Sequence, residues 1–201
     1  MALPSHVNAV IGFHQQPVLA VFMIKPNAFA RAIEILKALV NQTGADIIFH
    51  EGKRLSEKEV LDFYNKDDAW KTKYGGILLA QEKLHEQEYV LTEKEKLHAG
   101  NGIMHRIVEF MTSGPVVVSV VEGPLDIMKT VVGSTDPNKA ESFTLRHIFS
   151  EGESLEKANS EFRAVRNSIH ISDSLEEARR EARILFKGQQ WENIEFRVPH
   201  V

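Results

Sequence analysis

VLAVFMIKPNAFARAIEILKALVNQTG, residues 18–44, decides the class of fold, because its hydrophobic pattern changes period once and does so at a proline. Val18 to Ile24 is a continuous apolar run of strand length, the pattern of a central strand covered on both faces. Pro26 disfavours helical backbone at Lys25, which extends the strand to that lysine, and Asn27 suits the N-cap of a following helix. Ile33, Leu36 and Val40 recur at helical spacing, and Gly44 is placed to end the helix in a left-handed conformation. The stretch therefore predicts a strand, a turn and a helix.

Working outward, Ala45 to Arg54 reads as a less regular strand, and Ser56 with Glu59 makes a capping box for a short helix reaching Tyr64. Ile103 to Met111 and Leu125 to Val132 read as helices on either side of a buried strand, Val116 to Val121. Ser174 and Glu177 form a capping box for a C-terminal helix whose inward stripe is Ala178, Ala182, Leu185 and Phe186, ended by Gly188. Phe162 to Ile171 reads as irregular chain leading into a short final strand. Two polar excursions interrupt this order, Asp67 to Asn101 and Ser150 to Ser160; the first is compatible with a partly amphipathic helix or with a surface excursion.

The chain has 201 residues, 43% of them hydrophobic, a net charge of −4 and no cysteine. These values predict one domain with its own core and exclude extended disorder and a disulfide-stapled module. Lysine and arginine are dispersed, which argues against a dedicated nucleic-acid surface. No basic leader precedes an apolar segment, and Val18 to Ile24 is too short to cross a bilayer, so the expectation is a soluble cytoplasmic protein without membrane association. Walker, protein-kinase, H-E-x-x-H and C-x-x-C motifs are absent.

Two positions carry unusual chemistry for their place in this pattern. Glu181 falls between Ala178 and Ala182 on the stripe that faces the core, where an ionised carboxylate is costly without a partner. His170, just before the turn into that helix, is the natural one, although each residue alone also fits a structural role. Lys25 ends a buried strand beside a helix N-terminus, where an ammonium and backbone donors can meet phosphate oxygens.

Four blocks in order, FMIKPNAFAR (22–31), FMTSGPVVVSVVEG (110–123), GSTDPNKAESFTLR (133–146) and NSIHISDSLEEARREARILF (167–186), resemble the nucleoside diphosphate kinases. The resemblance implies an α+β, ferredoxin-like fold with a four-stranded antiparallel sheet and flanking helices, usually assembled as a homo-oligomer, a hexamer or a tetramer. It implies a single domain over 1–201, with an N-terminal extension 1–16, insertions near 67–101 and 150–160, and a C-terminal tail 189–201. By the same resemblance His170 is the phosphorylated nucleophile of a ping-pong exchange between nucleoside tri- and diphosphates, ATP being the usual donor. Glu181 orients it, the Tyr64 hydroxyl approaches the transferred group, and Lys25, Lys129, Thr135, Arg146 and Asn167 contact the nucleotide. Mg²⁺ is implied as cofactor, held mainly by phosphate oxygens and water, in keeping with a sequence that has no obvious carboxylate cage. An alternative is a catalytically weak nucleotide-binding or oligomeric module of the same fold. Lys129 stands where the family usually has arginine, and Ile171 and Phe143 replace glycines. The base-stacking phenylalanine has no counterpart; Ile103 or Met104 aligns nearest.

Overall fold

The computed structural model describes residues 17–82 and 90–187, so the extension 1–16, the tail 189–201 and Gly188 lie outside the described residues. Strand β1, Val18–Ile24, forms the second position from one edge of a four-stranded sheet with β2 (Asp46–Lys53), β3 (Val116–Gly123) and β4 (Ile169–Ile171). The order is β2-β3-β1-β4, and every neighbouring pair is antiparallel. This is the ferredoxin-like α+β arrangement. Two long apolar strands hold the middle of the sheet, and the three-residue β4 lies on the edge beside β1.

Alternation along β1 supplies both cores. Ala20, Phe22 and Ile24 point to a layer built with α1 (Ala32–Thr43), α5 (Leu125–Val132) and α6 (Leu145–Phe149). Val21 and Met23 point to the opposite layer, with α2 (Glu57–Tyr64), the end of α4 (Glu93–Thr112) and α8 (Leu175–Leu185). His170 pairs with Met23 across β1 and β4, so its side chain falls on this second side.

Several local expectations change. A 3₁₀ segment, Pro26–Arg31, precedes α1, and Asn27 does not cap it; its amide instead donates to Arg166 O and Ser168 Oγ at 3.0 and 2.8 Å. Ile33 is 73% exposed, while Ile35, Leu36 and Leu39 form the buried stripe. Gly44 ends α1 at φ 68, as expected. The capping box Ser56–Glu59 is complete, whereas at α8 only Ser174 caps, because Glu177 turns to Arg180 at 2.8 Å. Helix α8 stops at Leu185 with Phe186 in extended backbone. The Ser150 to Ser160 excursion holds one short helix, α7 (Leu155–Ser160).

The described part of the first excursion, which leaves out residues 83–89, is largely helical: α3 (Asp68–Glu82) packs against the first half of α4, which therefore begins ten residues before Ile103. Two glycines allow their backbones to touch. A Cβ at Gly75 would lie 1.9 Å from Lys96 O, and one at Gly100 would lie 2.1 Å from Lys71 O. Gly100→Ala should therefore lower unfolding stability by about 1–3 kcal/mol in urea titration. Gly102→Ala, whose Cβ meets nothing within 4 Å, should raise it by about 0.5–1 kcal/mol.

Candidate active site

Strand β4 and the turn before it bring the candidate residues together. Ser168 lies at φ 58, and Ile169 N donates back to Asn167 O at 2.6 Å, a tight turn that a non-glycine residue seldom makes. Ser168 is held by burial and by its hydroxyl, which donates to Phe149 O at 2.7 Å. The turn directs the Asn167 amide into the site: its oxygen accepts from Lys25 Nζ at 2.5 Å and its nitrogen donates to Thr135 O at 2.8 Å. Lys25 N donates to Ser168 O at 2.8 Å, which fixes the end of β1 against this turn.

Arg146, from α6, donates to Ile169 O at 3.0 Å and to Gly133 O at 2.8 Å. Gly133 is needed there: its φ is 87, and a Cβ would lie 2.6 Å from the Thr144 side chain. Burial pulls the Arg146 guanidinium down to about 10, against the opposing influence of Tyr64 and Asp173, and leaves it charged at neutral pH. The buried Tyr64 hydroxyl is pushed well above its usual range by desolvation, an effect that Arg146 opposes and Glu181 reinforces, so it is a proton donor. Lys129 is less committed, 3.2 Å from the carboxylate of the exposed Asp173 and 3.3 Å from its carbonyl.

Lys25 is pulled from 10.5 to about 7 by burial first and by Arg146 second. Below about pH 7 it is charged in both states, and the full cost of burying that charge falls on the folded protein. Between about 7 and 10.5 the folded state sheds a proton that the unfolded chain keeps, so rising pH stabilises the fold. Urea titrations of the nucleotide-free protein over this range should show wild type gaining stability relative to Lys25→Met. An anion docked on the ammonium favours its charged form, so bound phosphate should flatten the difference.

His170 and Glu181 meet across β4 and α8, with Nε2 3.0 Å from Oε1. Nε2 is buried, and the contact is too far out of line to count as a hydrogen bond. The other carboxylate oxygen accepts from Ser172 Oγ at 2.6 Å, and Ser172 Oγ accepts from Val21 N at 2.9 Å. A carboxylate facing the core thus has one oxygen hydrogen-bonded and the other in close contact with the imidazole, with Arg180 Nη2 4.0 Å from it. Phe63, unremarked in the sequence, lies edge-on against the imidazole, with ring centroids 4.8 Å apart and an interplanar angle of 70°. An aromatic just before Tyr64 on the inner face of α2 was the available signal. Neither Ile171 nor Phe143 has positive φ; Ile171 is buried in the first core and Phe143 is half exposed. The two lost glycines therefore leave the backbone unstrained.

Among the described residues, no group of three or more histidine, aspartate or glutamate side chains could hold a metal ion, and no helix is long and apolar enough to cross a membrane. What converges is cationic: Lys25 and Arg146 with the neutral donors Tyr64 and Asn167, next to an imidazole backed by a carboxylate. That set suits a phosphate chain.

Comparison with known proteins agrees. Residues 72–191 match the family model described as nucleoside diphosphate kinase. A nucleoside diphosphate kinase of Pyrobaculum aerophilum is 32% identical over 174 residues, which cover 84% of this chain and 94% of the relative. The nucleoside diphosphate kinase 1 of Protochlamydia amoebophila is 42% identical over 96 residues, 47% of this chain and 60% of its own. Among solved structures, an NDP kinase from Pyrobaculum aerophilum has a TM-score of 0.74 at 32% identity, covering 86% of this chain and 97% of that one. The nucleoside-diphosphate kinase of Borrelia burgdorferi, solved as a transition state mimic with bound vanadate and ADP, shares the fold at a TM-score of 0.64 and 20% identity, covering 86% and 88%. Fold, ordered sequence blocks and a relative matched over nearly its whole length together make this chain a member of the nucleoside diphosphate kinase family.

Proposed function

We propose that this protein transfers the terminal phosphate of a nucleoside triphosphate to a nucleoside diphosphate in two half-reactions through a phosphohistidine at His170. The observation that carries the reading is the orientation of His170: Nε2 is turned into the protein against Glu181, which leaves Nδ1 as the nitrogen for chemistry. With its proton on Nε2, facing the carboxylate, the ring presents a lone pair at Nδ1. Small ring adjustment on substrate binding turns the Nε2 contact into a hydrogen bond, as in many sites that tighten only when occupied.

In the first half-reaction Nδ1 attacks the γ-phosphorus, the P–N bond forms as the bond to the β,γ-bridging oxygen breaks, and the nucleoside diphosphate leaves. In the second, a β-phosphate oxygen of another diphosphate attacks the phosphohistidine and restores Nδ1. Negative charge is spread over the phosphoryl oxygens throughout, so Lys25 and Arg146 as cations and Tyr64 as a neutral donor lower the barrier by position alone. Asn167 holds the Lys25 ammonium in place, the Thr135 loop and Lys129 bound the phosphate side, and Glu181 takes up the growing positive charge on the imidazole. Mg²⁺ carried on the nucleotide would neutralise phosphate oxygens, and the exposed Asp173 is the carboxylate available to its water shell.

Incubation with Mg²⁺ and γ-labelled ATP should yield acid-labile label on a peptide containing His170, and added GDP should remove it; initial rates should give the parallel lines of a ping-pong mechanism. Nucleotide binding with no label on the protein would select the module reading instead. Cytoplasmic location and homo-oligomeric assembly belong to the same proposal. Strand β2 is a sheet edge whose outer side pairs with no other strand among the described residues, and light scattering of the full chain tests the assembly.

A further inference from the structure

Helix α8 breaks a local rule at its start, and the reason lies in another helix. Ser174 caps it, but Glu177 leaves the reciprocal place of a capping box and takes Arg180 instead: its Oε2 accepts from Nη2 at 2.8 Å and from Nε at 3.1 Å. A local preference abandoned in this way points to a contact made elsewhere. Arg180 makes it. Nη1 donates to Asp62 O at 2.9 Å and Nη2 to Phe63 O at 2.8 Å, both in the last turn of α2.

A helix leaves its last carbonyls without partners of its own. In α2, Asn65 N takes the carbonyl of Leu61 at 2.9 Å, with Asn65 itself at φ 37, and the Arg180 fork takes the next two. A planar guanidinium spans adjacent carbonyls in one fixed geometry, which an ammonium on a flexible stem does not. Helix α2 is therefore ended by a side chain of α8. What that end carries is the site: Phe63 lies edge-on to the His170 imidazole, and Tyr64 edge-on to Phe63 with centroids 5.4 Å apart. The Tyr64 hydroxyl feels the charges of both Arg146 and Glu181. Arg180 Nη2 also lies 4.0 Å from Glu181 Oε1, the oxygen that faces His170.

We propose that Arg180 is a positioning residue for phosphoryl transfer: aimed by Glu177, it locks the end of α2 so that the Tyr64 hydroxyl stands where the transferred group passes. The assignment rests on the kinase reading above. Without the fork, two carbonyls of the last turn are open, the helix end frays, and the tyrosine moves with it. A donor stabilises phosphoryl oxygens only from the place where their charge develops, and a misplacement of about 1 Å costs up to about a hundredfold in rate.

Single-turnover labelling of the full chain by γ-labelled ATP with Mg²⁺, run beside the dissociation constant for ADP, tests it. Arg180→Met keeps the stem and removes the donors; its labelling rate should fall about tenfold, with the ADP constant within about twofold of wild type. Arg180→Lys, charged but without the fork, should recover only about a third of the wild-type rate, and Glu177→Gln, which loosens the hold on Arg180, should lose about threefold. In a Tyr64→Phe background Arg180→Met should cost less than about twofold more, because the fork acts through a hydroxyl that is already gone. If Arg180→Met does not fold by circular dichroism, Glu177→Gln carries the same cycle. An equal loss in both backgrounds, full recovery in Arg180→Lys, or a change in urea stability with an unaltered labelling rate would each overturn the assignment. A wild type that takes no label ends the kinase reading and this assignment with it; a labelled wild type with an unaltered Arg180→Met ends the assignment alone.

Discussion

His170→Ala should take no label from γ-labelled ATP and should lose at least about 10⁴-fold in kcat for transfer to GDP, because nothing else in the cluster can hold the phosphate between the two half-reactions. Arg146 is a cation, Lys25 is held charged by the anion docked on it, Tyr64 is kept protonated by burial, and Glu181 is turned toward Ser172. Binding should survive. The imidazole is 19% exposed at the edge of the second core and makes no hydrogen bond of good geometry at Nε2, so its loss leaves the phosphate contacts in place. Circular dichroism and the dissociation constant for ADP separate lost chemistry from lost fold. Label on the alanine variant, or kcat within tenfold of wild type, would remove His170 from the mechanism.

Glu181→Gln should lower kcat by at least about 10²-fold with little change in KM. The reason is the tautomer. A carboxylate oxygen facing Nε2 can only accept, which places the ring proton on Nε2 and the lone pair on Nδ1. A glutamine amide turned with its NH₂ toward the ring reverses that choice and protonates the nucleophile; a wrong tautomer behind an intact geometry costs about 10⁴ in a serine-protease triad. The opposite amide orientation keeps the tautomer but gives the Ser172 hydroxyl, which now donates to the other oxygen at 2.6 Å, an amide group instead. Neither orientation supplies the negative charge that stabilises the phosphorylated ring. Single-turnover labelling should show the defect in the phosphorylation step itself. A variant slowed only in KM would assign Glu181 to binding.

Much of this was legible in residues that obey local rules. The apolar run Val18 to Ile24, the capping box at Ser56 and the glycine at 44 act through neighbours in sequence, so their consequences could be read without a structure. The burial of Glu181 followed from helical phase alone, and so did its need for a partner. The ordered blocks named most of the candidate residues, and the structure brings Lys25, Asn167, Thr135, Arg146, Tyr64, His170 and Glu181 into one cluster.

What escaped depends on contacts between distant segments. Asn27 has the side chain of a cap, but Arg166 and Ser168, more than 130 positions away, compete successfully for its amide. The polar stretch that includes Lys96 and Gly100 has a weak helical pattern, because α4 is fixed in its first half by backbone contact with α3 and not by a broad apolar face. The turn at Ser168 and the stance of Phe162 both need positive φ at residues that resist it, and only surrounding hydrogen bonds and the Glu153–Arg163 pair make them stable. Sequence by itself determined which side chains have the chemistry to meet a phosphate and where the strongly patterned elements β1, β3 and α8 lie, since those follow from side-chain type and short-range periodicity. The tertiary structure alone decided which nitrogen of His170 faces the carboxylate and that the Phe63 ring packs edge-on against the imidazole, because both are set by the packing of chain segments that the sequence does not place side by side.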